Sequence, residues 1–165
     1  MQPSLFDLNG AIFSNCAKYR YKLWRIWELR KPYAMFLMLN HSTADEFNND
    51  PTVARCQSYA SDWGYGGLHV CNLFTYRATD RSEMKATRYP IGKDNDQVIL
   101  DVSLGAGIVI CAWGNDGNHK NRSTEVVKLL NRANVKLHCL RITKENEPEH
   151  PLYLKKSLRP IPYPP

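Results

Sequence analysis

The chain is predicted to fold as a three-layer α/β protein. A central, mainly parallel four-stranded sheet is flanked by helices, and an antiparallel hairpin stands at its N-terminal side. Three observations predict this. Continuously apolar runs recur at 33–39, 68–74, 107–113 and 136–142, as expected of strands buried on both faces. Between them lie segments with apolar residues at helical spacing. Strands that alternate with helices imply parallel pairing through right-handed crossovers. A chain of 165 residues suits one domain, 1–165, and is long enough to bury roughly two-thirds of its unfolded surface.

Each element has its own signal. Residues 11–14 and 19–27 read as two strands. In the second, Tyr19, Tyr21, Leu23 and Arg25 alternate with Arg20, Lys22, Trp24 and Ile26. That period of two predicts an edge hairpin, within 10–30, with one wet face. The run YAMFLML at 33–39 is the first core strand. Pro51 and Thr52 open a helix over 52–63, with Val53, Cys56, Tyr59, Ala60 and Trp63 as its stripe. Gly64, Gly66 and Gly67 end it. LHVCNLF at 68–74 is the second core strand, and a helix is predicted over 95–104. GIVICAW at 107–113 is the third core strand, followed by a helix over 123–133. KLHCLRI at 136–142 is the fourth. The proline-rich residues 155–165 are predicted to run extended over the surface.

Composition narrows the class. No run approaches the ~20 apolar residues of a membrane span. The first ten residues lack a basic start followed by an apolar stretch, so no signal peptide is expected. A cytoplasmic protein with no membrane partner is the expectation. The five cysteines (Cys16, Cys56, Cys71, Cys111 and Cys139) include no CxxC pair, so reduced thiols are expected and no metal or other cofactor. His69, His119 and His138 suggest no metal triad. The net charge is +6. Basic residues crowd 18–31, where Tyr and Trp interleave, and the tail, with Lys155, Lys156 and Arg159. This pattern suits phosphate next to base-stacking rings, or equally a solvated face with a basic bias. Arg25, Lys155 and Lys156 are the candidate contacts to a nucleic-acid backbone.

Ligands of parallel sheets bind outside the carboxyl ends of the strands. The segments that follow the four core strands, 39–52, 72–80, 113–122 and 149–154, hold most of the uncommon polar residues. Topology alone thus brings Asn40, His41, Asp45, Asn72, Arg77, Trp113 and His150 to one edge. Each also has a plainer reading. Asn40 suits a strained turn, and Asp45 or Asp50 can cap a helix. Asn72 interrupts an apolar strand, where an unpaired amide costs a few kcal/mol, roughly. Its partner must be backbone or ligand.

The motifs LNHSTAD, DPT, GYGGLHVCNLFTYRATD, ICAWG and HPLYL together resemble an uncharacterised bacterial and phage family, the domain of unknown function numbered 1643, over about 21–154. One departure stands out. The family usually has Asn-Pro-Ser where this chain has Asn40, His41 and Ser42. The resemblance implies a bacterial protein, or a phage protein in the host cytoplasm. More distantly, the order of motifs is similar to the uracil-DNA glycosylase superfamily and implies its fold. There, an Asn-Pro or Asp-Pro pair follows the first core strand, similar to Asn40-His41. An Asn that reads the flipped base ends the second, similar to Asn72. A Gly ends the third, similar to Gly114, and a His-Pro loop enters the DNA, similar to His150 through Tyr153.

That likeness implies a DNA base glycosylase acting on a flipped or modified base. Asn40, Asp45 and His150 would be catalytic, with Asp45 or Asn40 holding the water and His150 donating to the departing base. His41, Ser42, Asn72, Arg77, Trp113 and Tyr153 would bind substrate, and Leu152 or Tyr153 would wedge into the gap. DNA is the expected partner, double- or single-stranded. Two other functions fit the same residues: an enzyme on a small nucleotide or nucleoside, and a non-catalytic nucleic-acid or protein-binding module.

Overall fold

A computed structural model describes residues 8–40, 49–77, 85 and 88–164. Its strands are β1 (Asn9–Phe13), β2 (Arg20–Ile26), β3 (Tyr33–Asn40), β4 (Gly67–Phe74), β5 (Ile108–Cys111), β6 (Leu137–Cys139) and β7 (Ile161–Pro162). Its helices, among the described residues, are α1 (Pro51–Asp62), α2 (Asn95–Gly105) and α3 (Arg122–Arg132). All seven strands join one mixed sheet in the order β1-β2-β4-β3-β5-β6-β7. The pairs β4–β3, β3–β5 and β5–β6 are parallel. The pairs β1–β2, β2–β4 and β6–β7 are antiparallel.

β3 lies at the centre, and its alternation builds both cores. Ala34, Phe36 and Met38 pack with Val53, Cys56, Tyr59 and Ala60 of α1. Met35, Leu37 and Leu39 pack with Ile99 and Val102 of α2 and with Val126 and Leu130 of α3. Successive side chains of a strand point to opposite faces, so a strand covered on both sides must be apolar throughout. α1 starts as its sequence predicts: Asp50 Oδ1 accepts the Val53 N–H at 2.8 Å, and Pro51 occupies the first turn. Gly64, at φ 87°, takes the left-handed conformation that lets the chain leave the helix. Cys56, Cys71, Cys111 and Cys139 are buried and free, and Cys16 is exposed.

Two expectations are corrected. The N-terminal hairpin forms an edge of the sheet, with β1 outermost, but β2 has no wet face. β2 pairs with β4 as well as β1, so the hairpin extends the sheet. Arg20 and Arg25 are therefore buried, at 1% and 5% exposure. Arg25 Nε donates to Asn49 Oδ1 at 2.9 Å and Nη1 to the Trp24 carbonyl at 2.9 Å. A guanidinium committed in this way cannot serve as the surface phosphate contact expected of Arg25. The tail, second, is more than a surface strap. Ile161 and Pro162 pair with Cys139 and His138 as β7, an edge position that tolerates proline. The Tyr163 ring meets Trp113 edge-on, 5.8 Å between centroids.

No helix among the described residues is long and apolar enough to cross a membrane.

Candidate functional site

The parallel register carries the ends of β3, β4, β5 and β6 to one edge of the sheet. Asn72 sits near this edge on β4, opposite Met38 of β3. Leu68 and Val70, at the same alternation, pack toward α1, so Asn72 points to the α1 face. It is 1% exposed. Neither its amide nitrogen nor its amide oxygen has a hydrogen-bond partner among the described residues. Nearly all buried polar groups are satisfied in folded proteins, which makes this carboxamide an exception.

Its backbone, by contrast, is clamped. Asn95 Nδ2 donates to the carbonyls of Asn72 and Leu73 at 2.8 and 3.2 Å. Arg122 Nε donates to the Leu73 carbonyl at 2.9 Å. Arg122 also pairs with Asp96, 2.7 Å away. Asn95 begins α2 and Arg122 begins α3. Two helix starts thus hold the end of β4 from the face opposite to the Asn72 carboxamide.

Buried positive charge lies on the near side. Burial pushes the Arg20 guanidinium down to about 10, Asp50 opposes that shift, and Arg77 and Arg25 reinforce it. Arg77 itself is exposed. Its Nη1 donates to the Ala17 carbonyl at 3.1 Å and its guanidinium lies 4.7 Å from the Phe13 ring centroid, which ties it to the β1–β2 turn.

The last loop is seated on α1. Arg55 Nη2 donates to the Leu154 carbonyl. Tyr59 Oη donates to the Lys155 carbonyl at 2.7 Å, and Trp63 Nε1 to the Leu158 carbonyl at 3.2 Å. These three side chains recur every four residues, so they form one stripe along the helix. Leu154 packs into the same core as Met38, Ala112 and Leu140. In this loop His150 is half-buried, and its Nδ1 accepts the Leu152 N–H at 3.2 Å. A neutral imidazole that accepts at Nδ1 carries its proton on Nε2, so Nε2 is a donor. Tyr153 is 94% exposed and holds φ at 72°. Lys155 and Lys156 are exposed. A groove of about 390 Å³ runs between α1 and this loop.

Trp113 lies elsewhere. It is 1% exposed within the core on the α2 and α3 side, and its indole N–H donates to Glu147 at 2.7 Å. Burial raises the Glu147 pKa, the Trp113 bond lowers it and Glu145 raises it further. Gly117 packs flat on the indole, where a side chain would collide. Trp113 therefore braces the loop after β5 and presents no ring to a ligand. The backbone of Asn40 closes β3 opposite Phe74. His41, Ser42 and Asp45 lie outside the described residues. Among the described residues, no group of three or more His, Cys, Asp or Glu could hold a metal ion.

Four of these residues carry no motif that announces them. Asn95 and Arg122 read as ordinary helix starts, and Arg20 and Arg55 as surface cations. A buried arginine leaves no mark in the sequence until its partners are known.

The family model described as "protein of unknown function (DUF1643)" matches residues 20–152. The chain belongs to this family. The DUF1643 match runs from Arg20 at the start of β2 to Leu152 in the last loop, so it takes in Arg20, Arg25, Asn72, its clamp and His150. The Tyr153 ring and β7 follow it. No curated protein and no solved structure matches the chain.

Proposed function

We propose that this protein is a DNA base-processing enzyme of the glycosylase type, with a fold like that of the uracil-DNA glycosylases. The observation that carries this reading is the buried carboxamide of Asn72, without a partner among the described residues, at the carboxyl edge of the parallel strands. A group that costs stability when unpaired is understandable where a ligand completes it. A base swung out of the stack offers the donors and acceptors needed.

The other residues take roles around it. His150 donates through Nε2, because its Nδ1 accepts the Leu152 N–H. In hydrolysis the bond between the sugar C1′ and the base nitrogen breaks, and its electron pair leaves with the base. His150 stabilises that developing negative charge by donating a hydrogen bond. Asp45, on the loop after β3, takes a proton from the water whose oxygen bonds to C1′, and Asn40 orients that water. His41 and Ser42, in the same segment of the sequence, bind the substrate. The buried cationic charge of Arg20 favours the negative charge that arises. Leu152, half-buried beside His150, fills space that the base vacates. Lys155 and Lys156 meet phosphates.

The test is incubation of the purified protein with DNA containing uracil, hypoxanthine, mismatched thymine or hypermodified pyrimidines, with mass spectrometry of the products. A released base that disappears in Asn72→Leu and in Asp45→Ala is the expected result. DNA binding without a product from any of these substrates overturns the enzymatic reading and leaves a binding module.

A further inference from the structure

The groove between α1 and the last loop has a chemistry of its own. It is lined by Pro51, Ala54, Arg55 and Ser58 on one face of α1, and by Leu152, Tyr153 and Lys156 opposite. We propose that it binds one nucleotide of a single DNA strand, with the phosphate held by Arg55, Ser58 and Lys156 and the base stacked on Tyr153. The proposal rests on the base-processing reading. The groove opens two residues beyond His150, so the nucleotide it takes neighbours the one processed.

Size, charge and an exposed ring each point to this occupant. About 390 Å³ lies in the range of small-molecule sites. Two cations and the Ser58 hydroxyl face each other across it, with no acidic residue in the lining among the described residues. The Arg55 charge is fixed in place, bonded to the Leu154 carbonyl and set 5.3 Å from the Tyr59 ring centroid. Ser58 lies one helical turn further along the same face, and Lys156 reaches in from the loop. Pro51, Ala54 and Leu152 supply the apolar floor that a sugar and base edge require.

Tyr153 adds the most specific feature. Its ring stands in solvent, while its backbone holds the left-handed region that a bulky residue seldom adopts. Neither folding nor the core uses this ring. The faces of a base inside a duplex are covered by its neighbours, so only an unstacked base can lie against Tyr153. This commits the occupant to a strand that is unpaired at that position.

The experiment measures binding of a labelled short oligothymidylate to the full chain by fluorescence anisotropy. Unlabelled strand, blunt duplex, thymidine 5′-monophosphate and inorganic phosphate serve as competitors. Tyr153→Ala is expected to weaken binding roughly tenfold or more, and Tyr153→Phe to keep the affinity, since the ring is what stacks. Lys156→Gln is expected to weaken binding and to lower the slope of log affinity against log salt by about 0.7. No binding of the oligothymidylate, wild-type affinity in Tyr153→Ala, or equal competition by the duplex overturns the proposal. Competition by thymidine 5′-monophosphate as strong as that of the strand also overturns it, and assigns the groove to a free nucleotide. The two readings fail separately. Base release that ignores Tyr153 removes the groove and keeps the enzyme. Tyr153-dependent binding with no base released removes the enzyme and keeps the groove.

Discussion

Asn72 brings a hydrogen-bonding group into a layer of Met, Val and Leu side chains where no described residue answers it. Asn72→Leu, a change that keeps the branching and the number of heavy atoms, is expected to raise stability by about 1 kcal/mol, because the unpaired amide is gone. Base release is expected to be lost at the same time. Urea unfolding and the release assay check the two halves; a less stable variant that still releases base contradicts the assignment. Asn72 was legible in the sequence because it is polar in an apolar run. Arg20 and Arg25 were not, because alternation alone cannot tell a wet face from one where Asn49 waits to receive a guanidinium. His69 shows a second cost of burial. It lies against Tyr33, 4.0 Å between ring centroids, and burial, helped by Lys22, drives its pKa down to about 3. Its ordinary value is about 6.5, so folding favours the neutral ring. Stability from this group is fully present above pH 6.5. It is lost at up to about 1.4 kcal/mol per pH unit as the pH falls from there toward 3. Melting temperatures between pH 7 and pH 5 should therefore fall less steeply in His69→Leu than in the parent, and parallel profiles would count against it.

The elements were read with more success than their edges. The three helices and four core strands lie close to where apolar periodicity predicts them, because burial on one stripe or on both faces writes itself into residue order. β5 and β6 are shorter than their apolar runs, as the last residues of each run leave the ladder and still pack: Trp113 faces Glu147 and Leu140 joins the α1 core. β7 was hidden because prolines on an edge strand resemble prolines in a loop. Helix starts matter most at this scale. Arg122→Met should destabilise the protein by about 2 kcal/mol, since it leaves the Leu73 carbonyl without a charged donor. It should also lower base release by freeing the end of β4, which urea unfolding and kinetics would separate. Tyr59→Phe removes only the bond to the Lys155 carbonyl, at about 1 kcal/mol. Faster amide hydrogen exchange across 152–158 is expected, and unchanged exchange there would mean that the loop is held by other means.

For the molecule as a whole, the sheet runs from a hairpin to a proline edge, and both ends shield it. Truncation after Leu158 removes β7 and the Tyr163 ring from Trp113. A loss of about 2 kcal/mol is expected from the buried aromatic area, with aggregation through the bared β6 edge. Melting and light scattering test this, and a truncated chain that remains as stable and monodisperse as the parent refutes it. That the ends of β3, β4, β5 and β6 share one edge is readable from topology, whereas the groove is not, since it needs the distance between α1 and a loop some hundred residues away in the chain. That distance has a consequence for how the protein can change. α1 follows in the chain on the segment that holds Asp45, and the same helix carries the rungs on which the segment after His150 rests. A substitution that shifts α1 is therefore expected to move the seat of the last loop as well, and under the base-processing proposal neither arm of that yoke drifts on its own.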